Sequence, residues 1–130
     1  MPDMPLWQKI AWLAIAGVLG TLCRFGLATL VQRLHPFDFP WGTFAVNAVG
    51  CLLFGIVWAL AEERGLINFH VRAILLVGFL GAFTTFSSFA FETAELLTHA
   101  RLLKAAVYVL LQNVSGVVLV LAGMAIGRFF

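Results

Sequence analysis

Charge is scarce in this sequence. Aspartate, glutamate, lysine and arginine supply only 11% of the 130 residues, and none of them stands between Thr43 and Ala61 or between Ala105 and Gly127. A soluble domain carries about 25% charged and about 45–50% apolar residues. Here the apolar share is 62% and the mean hydropathy +1.02. That deficit excludes an ordinary water-soluble domain and puts the bulk of the chain in a membrane. The net charge of +2 lacks the basic footprint of a protein that binds nucleic acid.

Chemistry-bearing groups are equally sparse. The two cysteines, Cys23 and Cys51, lie in apolar stretches. They form neither a C-x-x-C pair nor a metal spacing with histidine, and read as small packing residues. His35, His70 and His99 fall in loops or near span ends. No cluster of histidine, cysteine and aspartate, and no nucleophile–base pair, has the spacing that catalysis requires, so the chain is not expected to be an enzyme. The opening "MPDMPLWQK" runs into an apolar stretch too long for a signal peptide, without a small-residue cleavage site. It reads as the start of a first span.

What the sequence has is apolar length. Four spans are expected at about 6–31, 42–61, 73–97 and 105–127, each long enough to cross a hydrocarbon core of about 30 Å. They make one four-helix membrane domain over 1–130, with tryptophans 7, 12, 41 and 58 near span ends as interfacial anchors. An even number of spans puts both termini on one side. That side carries Lys9, Arg64, Arg72 and Arg128, and the other carries Arg33, Arg101 and Lys104. Orientation follows the Lys/Arg excess of short cytoplasmic loops. A near-balanced map fits either a single orientation or insertion both ways up, and the second would allow an antiparallel dimer.

Polar groups in lipid usually face a cavity or a partner. The first span offers Arg24, the second Asn47, and the fourth Tyr108, Gln112, Asn113 and Ser115. The third holds "GFLGAFTTFSSF" (78–89), then Glu92, Thr93 and Glu95. Gly78 and Gly81 mark a point where a helix is cheaply broken, and non-helical backbone at membrane depth must be buried in protein or line a cavity. A continuous helix with small packing residues is the other reading. Phe79, Phe83, Phe86 and Phe89 are spaced four, three and three apart, roughly one helical stripe. Such a stripe serves for packing, or turns the positive edges of its rings toward an anion. Thr85, Ser87, Ser88 and Asn47 would then supply neutral donors.

"GVLGTLCRFG" (17–26), "GTFAVNAVGCLLFG" (42–55) and "GFLGAFTTFSSFAFET" (78–93) together resemble the Fluc/CrcB family of bacterial fluoride channels. The match runs over essentially the whole chain. The resemblance implies an all-α fold of four transmembrane helices, the third broken near its middle, assembled as an antiparallel dual-topology homodimer with two pores at the interface. It implies passive, selective fluoride export across the bacterial cytoplasmic (inner) membrane. It matches Phe86 and Phe89 to pore phenylalanines, Asn47 to a pore-lining asparagine, and Tyr108 to a fourth-span tyrosine beside the rings. Thr85 and Ser88 belong to its hydroxyl-rich motif, Arg24 matches the arginine that ends its first-span motif, and Glu92 belongs to the close of the third-span motif; Arg24 then stands at a pore mouth or snorkels to the headgroups as a structural residue. The backbone carbonyls of Gly81 and Thr84 match those that hold a central structural Na⁺. Gln112 departs from the pattern, which has serine there. A small multidrug-type, proton-coupled exporter has the same size and span count, but it needs a membrane carboxylate in the first span, where this chain has Arg24 and no acid.

Overall fold

The computed structural model describes residues 4–35 and 38–130. All regular structure among them is helical. Helix α1 is Leu6–Leu34 and α2 is Trp41–Glu63. The third span, Phe69–Thr98, is described in two parts, α3 (residues 69–83) and α4 (Phe86–Thr98). Helix α5 is Leu102–Gly127. Four helical segments are therefore long and apolar enough to cross a membrane. Pro5 and Pro40 stand at the N-caps of α1 and α2, where a missing N–H leaves no helical bond unmade.

Two stretches wind more loosely than an α-helix. Residues 59–63 and 74–80 are π-helical, a geometry that occurs mostly as short bulges near functional positions. The second leads into Gly81–Phe83. Thr84 (φ −80°, ψ 156°) and Thr85 (φ −145°, ψ 111°) then take extended backbone before the chain turns helical again at Phe86.

Glycines decide how closely the helices approach. Helices α2 and α5 form the most extensive pair. A Cβ on Gly123 would lie 2.1 Å from the Leu52 carbonyl oxygen, and one on Gly55 2.1 Å from that of Val120. The "GMAIG" pair, Gly123 and Gly127, thus packs inside one subunit, since Gly127 also lies against Ile56 and Ala59. The Ala16/Gly20 pair does likewise: Gly20 meets the Phe79 backbone and Ala16 meets Gly78, joining α1 to α3. Side-chain packing is concentrated in two small clusters. One is Val46, Leu76, Leu80 and Phe83; the other is Leu96, Ala105 and Tyr108. Most large apolar side chains point outward instead, among them Leu22, Phe25, Val117 and Leu121, as a lipid-solvated protein requires.

The helix ends are tied by ion pairs. Arg72 pairs with Glu62 and Arg128 with Glu63, while Arg101 and Lys104 both reach Asp38. The hydrogen bond from Arg101 holds the Asp38 carboxyl below the usual carboxylate range. Between α4 and α5 the chain turns through Ala100. The Arg101 amide donates to the Leu96 carbonyl and the Ala100 amide to that of Leu97, a Schellman closure whose αL residue is ordinarily glycine. Here it is alanine at φ 56°. Ala100→Gly is expected to stabilise the protein by about 0.5–1 kcal/mol, the left-handed strain outweighing glycine's extra unfolded-state freedom. A rise in the unfolding midpoint in detergent checks it.

Candidate functional site

The extended residues 84 and 85 are held by a side chain from another helix. Asn47 on α2 accepts the Thr85 amide N–H at Oδ1 (2.8 Å) and donates from Nδ2 to the Thr85 carbonyl (3.1 Å). A single carboxamide thus stands in for the helical partners of both backbone groups. Just beyond, Thr85 Oγ1 caps α4 by accepting the Ser88 amide (3.2 Å) and donates to Ser88 Oγ (3.0 Å). This is the hydroxyl cap typical of a helix start.

From Asn47 a line of hydrogen bonds crosses the subunit. Asn47 Nδ2 also donates to Gln112 Oε1 (3.4 Å), and Gln112 Nε2 donates to the Tyr108 hydroxyl (3.1 Å). Tyr108 donates to Glu92 Oε2 (2.6 Å), and Thr43 Oγ1 donates to Glu92 Oε1 (2.7 Å). Tyr108 is fully buried, between the rings of Phe39 and Phe89 at 5.3 Å each. Thr43 and Asn47 lie four apart on α2, and Tyr108 and Gln112 four apart on α5. Each pair shares a helix face, and the two faces meet. The part played by Thr43 went unread in the sequence, although its spacing from Asn47 signals it.

The four phenylalanines do not form one stripe, because the extended pair at 84–85 resets the helical phase. Before it, Phe79 and Phe83 stack (5.9 Å, 9°), with Phe83 buried in the core. After it, Phe86 and Phe89 meet edge to face (5.7 Å, 61°), with Phe86 78% exposed. Both of the latter line a cavity of about 440 Å³ together with Asn47, Thr84, Thr85, Gln112 and Asn113. Gly50 lines it too, and a Cβ there would lie 2.2 Å from Thr84 Cγ2.

The remaining expected residues do not line this cavity. Arg24 and Ser88 line a separate pocket of about 250 Å³, and Thr85 borders both. Glu92 borders two further clefts, one with Arg33 and Thr43 and one with Glu95, His99 and Arg101. Asn113 and Ser115 bond to carbonyls of their own helix, at Val109 and Leu111, so it is Gln112 that joins the cross-helix line. Gly81 is exposed. The amides that would close helical bonds onto the Gly81 and Thr84 carbonyls go elsewhere: Thr85 N–H to Asn47, and Ser88 N–H to Thr85 Oγ1. Among the described residues no group of three histidine, cysteine or acidic side chains is placed to bind a metal.

Four membrane-length helices with a hydrogen-bonded polar interior and an aromatic-lined cavity define a multi-pass membrane protein. The family model described as "CrcB-like protein, Camphor Resistance (CrcB)" matches residues 11–124, and the chain belongs to that family. The chain is 53% identical over 123 residues to the "Fluoride-specific ion channel FluC" of Nitrosococcus oceani, covering 95% of this chain and 98% of that one. Proteins of the same description from Nitratidesulfovibrio vulgaris (49% identical; 93% and 98% covered) and Solidesulfovibrio magneticus (46%; 93% and 97%) are similarly close.

Proposed function

We infer that this chain is a fluoride-specific ion channel and not an enzyme. The observation that carries the reading is 53% identity, over nearly the full length of both chains, to a protein of that description. Fluoride is small and strongly hydrated, so a path for it must replace water with donors weak enough to release it. Neutral hydroxyl and amide groups meet that requirement, and the positive edges of Phe86 and Phe89 add to it. Thr85, Ser88 and the Asn47–Gln112–Tyr108 line supply the polar side of the same path. Arg24, in the neighbouring pocket, would raise the local anion concentration.

The finer reading is an antiparallel, dual-topology homodimer in the bacterial cytoplasmic membrane, with two pores at the interface passing fluoride passively out of the cell. The exposed Phe86, with the cavity open beside it, supports a path completed by a second copy. The Gly81 and Thr84 carbonyls, deprived of their helical amides, fit a hard cation such as Na⁺. When bound, that ion would supply a fixed positive charge near the path. A proton-coupled exporter would need a carboxylate free to exchange protons. Glu92 instead receives hydroxyls on both oxygens, from Thr43 and Tyr108.

The test is efflux from proteoliposomes containing only this protein, followed with a fluoride electrode against a chloride control. Fast fluoride release with little chloride release is expected; proton-driven uptake of a lipophilic cation would point to the exporter. Phe86→Ile and Phe89→Ile keep bulk and remove the ring edges. Each is expected to reduce fluoride flux about tenfold or more while the dimer still forms. Wild-type flux in both variants would refute the pore assignment of these rings.

A further inference from the structure

One bond to α2 disposes of two carbonyls. The Thr85 amide is the group that would close a helical bond onto the Gly81 carbonyl, and Asn47 Oδ1 takes it instead (2.8 Å). The same N–H belongs to the peptide group of the Thr84 carbonyl. A trans peptide is planar, with its N–H and C=O pointing opposite ways. Held by its N–H to Asn47, this group presents the Thr84 carbonyl away from α2.

Gly50 fixes the other side of the same residue. It is buried three residues beyond Asn47, on the same face of α2. The Thr84 hydroxyl donates to the Leu80 carbonyl (3.0 Å), which holds the side-chain torsion and lays the methyl over Gly50. A Cβ on Gly50 would lie 2.2 Å from that methyl and 3.3 Å from Phe83 Cδ1. Phe83 is buried and stacked on Phe79, so it has little room to yield. The added carbon is relieved only by turning the Thr84 side chain off Leu80 or by shifting the backbone at residue 84.

On the reading that the Gly81 and Thr84 carbonyls hold a hard cation, we propose that Gly50 and Asn47 are the positioning residues of that site. Asn47 aims the peptide and Gly50 seats it, so one face of α2 sets the cation affinity. Gly55 and Gly123 differ: their nearest obstacles are the backbone of a neighbouring helix, whereas Gly50 faces Thr84, where the backbone is extended. Cation binding and the bond between Asn47 and the Thr85 amide then strengthen each other by linkage.

Sodium itself is the probe. Purified protein in detergent is unfolded by heat across a sodium chloride series, with choline chloride holding the ionic strength. The rise of the midpoint gives the half-saturating sodium concentration. That concentration separates positioning from packing, because a variant that is merely less stable melts earlier but saturates at the same sodium. Gly50→Ala is expected to need about tenfold more sodium or beyond, one polar contact to a charge being worth about a decade or two. Thr84→Ser keeps the hydroxyl for Leu80 and removes the methyl that the new Cβ meets. In that serine background, Gly50→Ala is expected to change the sodium requirement by less than about twofold. In wild-type protein, sodium is expected to slow hydrogen exchange at the Thr85 amide and choline is not, a readout that needs no variant to fold. An unchanged sodium requirement in Gly50→Ala, an equal loss in the serine background, or Thr85 exchange unmoved by sodium overturns the assignment. A wild type whose midpoint ignores sodium would overturn the cation reading, and this one with it, and is recognised on the wild-type arm alone.

Discussion

Replacing Asn47 with leucine is expected to lower fluoride flux by roughly ten- to a hundredfold and to loosen the joint at Thr85. The side chains are alike in shape, so packing changes little. What is lost is a pair of bonds, at 2.8 Å and 3.1 Å, to the N–H and C=O of one residue. Neither group has a helical partner, because the backbone is extended there. Left unsatisfied at the buried Thr85, each costs about 1–3 kcal/mol. The chain then gains by refolding locally, and the registry between Thr85, Phe86 and the cavity is lost. Gln112 loses its anchor as well. Asn47→Asp separates the two functions: it still accepts the Thr85 amide but repels the carbonyl and, on the proposed path, places a charge beside the anion. Its flux is expected to fall at least as far. Amide hydrogen exchange at Thr85 reads the joint directly. A leucine variant that conducts normally, with Thr85 as protected as in wild type, would show the clamp to be dispensable.

The second large effect is on folding. Gly123→Ala adds one methyl, and its Cβ would lie 2.1 Å from the Leu52 carbonyl oxygen and 3.0 Å from the Ile56 nitrogen. Both obstacles are backbone, so no rotamer change relieves them, and α2 and α5 must separate along their whole contact. Overpacking ordinarily costs about 1–3 kcal/mol, and a backbone clash lies at or above the top of that range. The contrast is Gly116→Ala on the same helix, whose Cβ meets only Cys51 Sγ at an ordinary 3.5 Å. Thermal unfolding in detergent is expected to show a large drop for the first and little change for the second. Equal stability of Gly123→Ala and wild type would mean that the close α2–α5 crossing is not what holds the subunit together.

The contrast between these glycines shows where legibility stopped. "GMAIG" was visible as a close-packing motif, and so was the small pair Ala16/Gly20. Whether they served packing within one chain or between two was not, because a small residue looks the same in either setting. The phenylalanines are a second case. Their spacing described one stripe only on the assumption of an unbroken helix, and two extended residues sufficed to send Phe79 and Phe83 inward and Phe86 and Phe89 to the cavity. Gln112 is a third. Beside Asn113 and Ser115 it was one polar residue of three, and only the fold distinguished the amide that crosses to Asn47 and Tyr108 from the two groups that turn back to their own helix.

The sequence by itself determined that this is a four-span helical membrane protein, and its three motifs pointed to the family. Those properties are local: apolar run length, scarce charge and short residue strings need no knowledge of what lies opposite. The tertiary structure decided the rest. Asn47 and Thr85 are 38 residues apart, and Asn47 and Gln112 are 65 apart. Which hydrogens such groups spend on one another, and which remain for an ion, depends on distances that exist only once the helices are packed.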